Sequence, residues 1–556
     1  MEKRAVENLL GWLVSLGLVV TTLIITPYLS ADLVNPPKFL ILSITGAIGL
    51  GVLITNRKIW SFNTYKWILL TVGAFLIWQV VVLFASGANK YQQLFGIGGR
   101  NTGLITYYGL ALVMISAVFA ASHNALKRVS CAGIIAGFFS VGYGLLQGVG
   151  KDPLPWNNIY NPVHGFLGNP DFQSAFVGIA CSVALALVCD KGASIVKRAG
   201  LLAFIAIGLY TIKDGGSIQG FLVFIIGSAV VFFIVIKVHL GKAYSNGYLG
   251  LGTIGFLAIA LGSLNIGPLA SFLYRSSVTV RGDYWRAAWK MTMDNPIVGV
   301  GMDSYGDWYR RSRNIDATLR SGPDGISNAA HNVFLDISSN GGLPLLFIYC
   351  AITGLVIVSL WKVIARSQEF NPYFAAVAGA WVAYQAQSII SINQIGVAIW
   401  GWALGGIIIG YEIDSRVSEI EPVRKVKSAI KQSKFSMTTG VAVVISFAIG
   451  IGVGLPPLVA SAKFKDATES DSLAQAISAA YLFPLDVERL VIVGANLSDN
   501  KYEKEALSII NDAVKSFPDS FDAWKTLASL PNATPAQVAN AKAQMKRLDP
   551  LNPELK

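Results

Sequence analysis

The chain has 556 residues, 53% of them hydrophobic and only 14% charged. Soluble globular domains carry about 25% charged residues, and a mean hydropathy of +0.54 is too high for a water-solvated surface of this length. A soluble multidomain enzyme is excluded for most of the chain, as is disorder, which needs low hydrophobicity. The class left is an all-α, polytopic helical membrane protein. The formal charge of +12 does not point to nucleic acid. The positive residues cluster at the ends of apolar runs, and no basic stripe with interleaved aromatics occurs.

In chain order, apolar runs nearly free of Asp, Glu, Lys and Arg fall near 11–30, 39–54, 67–86, 103–121, 129–148, 172–189, 199–212, 219–236 and 248–266, then 343–361, 373–392, 396–411 and 438–460. A bilayer core needs about 20 apolar residues per helix, and backbone amides in hydrocarbon must pair within their own segment. About 13 transmembrane helices are therefore expected. The first run follows Lys3 and Arg4 like a signal peptide, but it is long for one and lacks a small-x-small cleavage site, so it reads as a retained anchor. With the N-terminus placed in the cytoplasm, the inner segments hold 20 lysines and arginines. The short outer loops hold five: Lys38, Lys90, Arg100, Lys151 and Lys213. This puts the 267–342 loop and the tail after residue 460 outside. The basic run at 424–434 reads as a cytoplasmic contact with anionic lipid.

Four parts are expected: residues 1–266 with nine helices, the outer loop 267–342, residues 343–460 with four helices and a basic linker at 412–437, and the tail 461–556. The tail is polar and helix-forming. Phe483-Pro484-Leu485-Asp486, Phe517-Pro518-Asp519 and Leu548-Asp549-Pro550 recur, with prolines 34 and then 32 residues apart. That is near the tetratricopeptide period of stacked helix pairs. An unrelated small helical domain is the other reading.

The four cysteines (Cys131, Cys181, Cys189, Cys350) sit in apolar runs as small hydrophobes. The four histidines (His123, His164, His239, His331) lack metal-ligand spacing. No metal and no cofactor is expected. The scarcity of charge in the spans weighs against an ion-coupled transporter. The polar inventory gathers in the 267–342 loop, with eight basic residues (Arg275, Arg281, Arg286, Lys290, Arg310, Arg311, Arg313, Arg320) and seven aspartates. Within it, residues 281–291 have helical spacing, with Arg281 preceding or opening the helix and Asn295-Pro296 ending it. A glycine-bent turn, Gly299 to Tyr305, follows.

Arg281-x-x-x-Trp285, Pro296-x-x-Gly299-x-Gly301-x-x-x-Tyr305 and His331-Asn332-x-x-Leu335, in that order in a large outer loop, resemble the signature of the O-antigen ligase/polymerase superfamily. The resemblance covers about residues 1–412 and is most specific over 281–345. Gly98-Gly99-Arg100-Asn101-Thr102-Gly103-Leu104 also resembles a family segment bearing an arginine. A third family feature, a Ser-Arg-Gly-like turn, corresponds here to Asp214-Gly215-Gly216-Ser217-Ile218-Gln219-Gly220, which lacks the arginine; Lys213 is a candidate substitute. The resemblance implies a glycosyltransferase C-like membrane enzyme of the bacterial inner membrane. Such an enzyme takes a glycan from an undecaprenyl-diphosphate carrier at the outer face and transfers it, with inversion, to a hydroxyl of the lipid A core, of a growing polymer or of a protein. It implies neither nucleotide sugar nor metal.

The residues suit that chemistry. A departing diphosphate develops negative charge, which arginine absorbs through bidentate hydrogen bonds; Arg281 and Arg100 are the candidates. An acceptor hydroxyl needs a proton acceptor, and histidine, with an ordinary pKa of about 6.5, suits neutral pH; His331 is the candidate. Each also has a plainer reading: His331 as a cap, Arg281 as a snorkelling arginine. Asn169 and Asp171 either shape a sugar pocket or form a turn and helix cap. Ser217 and Gln219 are candidate pocket residues, as are Lys213, Trp285 and Asn332, although Trp285 and Trp289 read first as packing or interface anchors. Arg310, Arg311 and Arg313 read as a solvated or lipid-headgroup-facing cluster. The tail offers a surface for a protein partner or acceptor. The rival of another class is a lipid-linked oligosaccharide flippase or exporter, which would line its spans with charge and would not need an outer-loop histidine.

Overall fold

The computed structural model describes residues 3–29, 32–154, 162–273, 276–420, 436–470 and 472–555; of the helical residues 272–273, 276–277 and 417–420 it describes the backbone course alone. The basic run at 424–434 lies outside the described residues. All regular structure among the described residues is helical.

Among the described residues eleven helices are long and apolar enough to cross a membrane, from Lys3–Leu23 to Met437–Thr468. The two expected runs that make up the difference also form helices. Leu104–Ala120 has 17 residues. Pro372–Ile390 is diluted by Tyr384, Gln385 and Gln387. Both are largely buried against other helices, so neighbouring protein replaces lipid around much of their surface. The chain is a multi-pass membrane protein by the length and composition of these helices.

Small residues bring the helices close. Met437–Thr468 lies along Asn35–Thr55, with Gly450 and Gly454 facing the backbones of Ile44 and Leu40. A Cβ on Gly450 would sit 2.6 Å from the Ile44 Cα, so only glycine permits this approach. One expectation fails here. Lys38, counted as an outer-loop charge, lies in the first turn of Asn35–Thr55 and is fully buried. Its Nζ donates to the carbonyls of Thr21 (3.0 Å), Thr22 (2.6 Å) and Ile24 (3.0 Å). It thus satisfies carbonyls that the end of Lys3–Leu23 leaves open.

The 267–342 segment is mostly ordered helix. Ser276–Asp294 is followed by a turn and by the short helices Tyr305–Ser312 and Ile315–Ser321. Arg281 falls in the second turn of its helix, not at its opening, because helical backbone extends back to Ser276. Val333–Arg366 begins before the expected membrane entry and breaks at Gly342, whose φ of 75° is left-handed. The 295–304 turn is bonded to that break: Val300 N–H donates to Ser339 O (2.8 Å), Gly301 N–H to Asn340 O (3.1 Å) and Leu343 N–H to Pro296 O (2.8 Å).

The tail forms helices Leu473–Ala480, Val487–Asp499, Glu503–Ser516, Phe521–Ser529 and Pro535–Leu548 around its own apolar core, with the second packed on the third and the fourth on the fifth. It is not free-standing. Asp549, wholly buried, accepts two bonds from Arg313 Nη2 (3.0 and 2.8 Å), and Arg311 donates to Asp519 at 2.8 Å. This corrects the reading of Arg310, Arg311 and Arg313 as solvated or lipid-facing. Arg310 and Arg313 are buried, and the cluster is the seat of the tail.

Candidate active site

Three parts of the chain meet at one end of the helical bundle. The first is the start of Pro170–Val188. Asn169 caps this helix, its side chain accepting from Asp171 N–H at 2.8 Å. The cap leaves the Asp171 carboxylate free to bridge two elements. Ser217, just before helix Ile218–His239, donates to Asp171 Oδ1 at 2.7 Å, and Arg281 pairs with Asp171 Oδ2 at 3.2 Å. One carboxylate thereby ties Ser217 to Arg281.

The second part is the turn that carries Arg100. Asp303 holds it from across the site. Its Oδ2 accepts from Ile97 N–H (2.8 Å) and its Oδ1 from the Thr102 hydroxyl (3.0 Å). Arg100 itself lies 3.8 Å from Asp303 and donates to the Asn328 carbonyl.

The third part is His331. It precedes helix Val333–Arg366, where Asn332 caps the first turn by accepting from Phe334 N–H (3.0 Å) and Leu335 N–H (3.1 Å). Asp336 accepts from Ala330 N–H at 2.6 Å and so fixes the turn from behind. His331 has a φ of 52°, a left-handed conformation uncommon outside glycine. Its ring stacks on Tyr284, with centroids 5.5 Å apart and planes 29° apart. The imidazole is half-buried and makes no hydrogen bond among the described residues. Burial first, then the positive fields of Arg281 and Arg100, push its pKa from 6.5 down to about 4, while Asp171 pulls the other way. Arg281, Arg100 and Asp171 thus all lie near enough to act on the histidine. The ring is neutral at neutral pH and carries a free lone pair, well below the ordinary histidine range expected from the sequence.

The remaining candidates divide. Gln219 is buried and neither end of its amide has a partner among the described residues. Trp285 faces a cleft of about 890 Å³ that Trp289, Arg286, Lys290 and Arg320 also line, and its indole N–H is unpartnered among the described residues. Asn169 and Asn332 each use the side-chain oxygen on a helix cap. Lys213 is exposed at the end of Ile195–Asp214, with no ion pair to the cluster among the described residues. His164 is enclosed, bonded to Gln147 at 3.0 Å. Tyr284, Asp303, Asn328 and Asp336 escaped sequence reasoning. Tyr284 and Asp303 adjoin motif residues, but nothing in spacing alone tells a scaffold aspartate from a solvated one. Among the described residues no three His, Cys, Asp or Glu side chains gather as a metal site.

Residues 200–350 match the family model described as O-antigen ligase. Over that interval the chain is similar to the O-antigen ligase family. The matched interval contains Lys213, Ser217, Gln219, Arg281, Trp285, His331 and Asn332; Arg100 and Asp171 reach the same site from outside it. No curated protein matches the chain. That family indicates ligase- or polymerase-type function, and with it an enzyme of glycosyltransferase kind.

Proposed function

We propose that the protein is a metal-independent glycosyltransferase of the bacterial inner membrane, moving a glycan from an undecaprenyl-diphosphate carrier to an acceptor hydroxyl at the outer face, in the manner of an O-antigen ligase. The observation that carries this reading is the meeting of two arginines and a neutral histidine in one half-buried site at one end of the bundle. Arg281 and Arg100 bind the diphosphate oxygens. His331 accepts the proton of the acceptor hydroxyl. The hydroxyl oxygen attacks the anomeric carbon, the bond from that carbon to the phosphate oxygen breaks, and the electron pair leaves on the diphosphate. The proton passes from His331 to solvent.

The low proton affinity of His331 supports this order of events. Burial and the two guanidiniums keep the base unprotonated, and an incoming diphosphate offsets the arginine charges and so strengthens the base as the substrate binds. Asp171 orients Arg281, and Ser217 holds Asp171. Gln219, with an unsatisfied buried amide, serves the sugar or the carrier headgroup. Lys213, Trp285, Asn169 and Asn332 remain in the proposal as outer contacts or, for the two asparagines, as caps that hold the site in shape. The N-terminus is cytoplasmic, the tail extracytoplasmic, and the basic ends of the helices face the cytoplasm.

The test uses purified protein, a lipid-diphosphate-linked glycan and candidate acceptors: lipid A core, a repeat unit and a peptide. His331→Ala and Arg281→Ala each lower transfer by about a hundredfold or more while the protein still folds in membranes. Near-wild-type turnover in either variant refutes the assignment, and movement of intact carrier across vesicles without transfer favours the flippase.

A further inference from the structure

The turn that ends in Arg100 is gripped from three directions. Ile97 N–H is held by Asp303 of the outer loop at 2.8 Å. The Gly99 carbonyl accepts from Asn35 Nδ2, at the start of the second helix, at 2.8 Å. The group between them, Gly98 N–H, donates to Asp486 Oδ2 at 3.1 Å, and Asp486 belongs to the tail, 388 residues away along the chain. A Cβ on residue 98 would sit 2.7 Å from that oxygen, so the carboxylate uses the room that glycine leaves. Beside this bond, Phe483 stands edge-on to Phe95 (5.4 Å, 84°) and to Tyr91 (6.0 Å, 85°). Asn89, at the start of the same segment, donates to the Ser516 carbonyl of the tail at 2.8 Å.

We propose that Asp486 of the C-terminal domain is a positioning residue for Arg100, so that the tail is a working part of the diphosphate-binding site. The proposal rests on Arg100 being a phosphate clamp. Three consecutive residues are each fixed by a different part of the chain, and the next residue bears the guanidinium. Releasing one of the three holds lets that guanidinium wander from the site it must occupy when the anion arrives. The tail is seated separately, by Arg313 on Asp549 and Arg311 on Asp519. Losing the Asp486 contact therefore loosens the turn without detaching the domain.

The two carboxylate oxygens of Asp486 do different work. Oδ1 caps helix Val487–Asp499 by accepting from Arg489 N–H at 3.1 Å; Oδ2 serves Gly98. Asp486→Ser keeps a capping oxygen and is too short to reach Gly98 as well. Asp486→Asn keeps the shape and one oxygen, and turns an N–H2 toward the Gly98 donor. Both are made in the full-length protein, alone and with Arg100→Ala, and the binding of undecaprenyl diphosphate is measured in detergent with thermal unfolding as the folding control. With Arg100 present, each substitution weakens binding about fivefold; with Arg100→Ala the further loss is under about twofold, because the effect runs through the guanidinium. Wild-type binding by the Asp486 variants, or equal losses in both backgrounds, overturns the positioning role. Wild-type binding by Arg100→Ala alone overturns Arg100 as a clamp and the inference with it, so the two failures are told apart.

Discussion

The protonation of His331 offers a direct test of the site, because it is measurable without knowing the sugar or the acceptor. Neutral imidazole reacts with diethylpyrocarbonate and imidazolium does not. Burial and the fields of Arg281 and Arg100 hold the pKa at about 4. An imidazole at that value is about 90% neutral at pH 5, whereas one at the ordinary 6.5 is only about 3% neutral there. Peptide mass analysis separates the four histidines, so each has its own pH curve. For His331 the modification rate stays nearly flat from pH 7.5 down to pH 5; for a solvent-exposed reference histidine it falls about thirtyfold over the same range. Arg281→Gln removes one positive field and raises the His331 midpoint, though not to the ordinary value, because burial remains the largest cause. In steady-state kinetics the acid limb of kcat lies at higher pH than that of kcat/KM, since the bound diphosphate offsets the arginine charge in the complex alone. A His331 rate that falls along with the reference, or kinetic limbs that coincide, refutes the picture of a base kept neutral by two converging guanidiniums.

Two further outcomes concern the scaffold. Asp549→Ala strips the buried carboxylate from Arg313 and leaves that guanidinium uncompensated, while Arg310 keeps Asp522, at a cost of about 3–5 kcal/mol; limited proteolysis then releases the 461–556 domain from membranes at protease levels that spare the wild type. Gly299→Ala forces an alanine into a φ of 64° and against the Ser339 carbonyl, which costs about 1–3 kcal/mol and lowers the thermal midpoint; an unchanged midpoint would show that the turn relaxes away from the Val333–Arg366 break.

The class of the protein was legible before any coordinates, because a bilayer imposes one composition on whatever crosses it. Long uncharged runs must be helices when no water is available to their amides. The ordered set Arg281, Gly299, Gly301 and His331 lies within residues 200–350, the interval that the family model matches. Lys38 shows where such reading stops. By sequence it is a loop charge at the edge of an apolar run, and only the packed bundle reveals three carbonyls waiting for it.

The arginine run at 310–313 makes the same point for the tail. A basic cluster reads alike whether it faces water, lipid or a buried aspartate, because the partner that decides the matter, Asp549, lies 236 residues further along the chain from Arg313. Local pattern determined which segments are helices and which side chains carry suitable chemistry. Tertiary packing alone decided that Asp171 bridges Ser217 and Arg281, that Asp303 and Asp486 hold the turn of Arg100, and that His331 sits where burial and two positive charges strip its proton. Proton affinity and the aim of a guanidinium depend on distances between residues remote in sequence, and those distances exist only once the helices are packed.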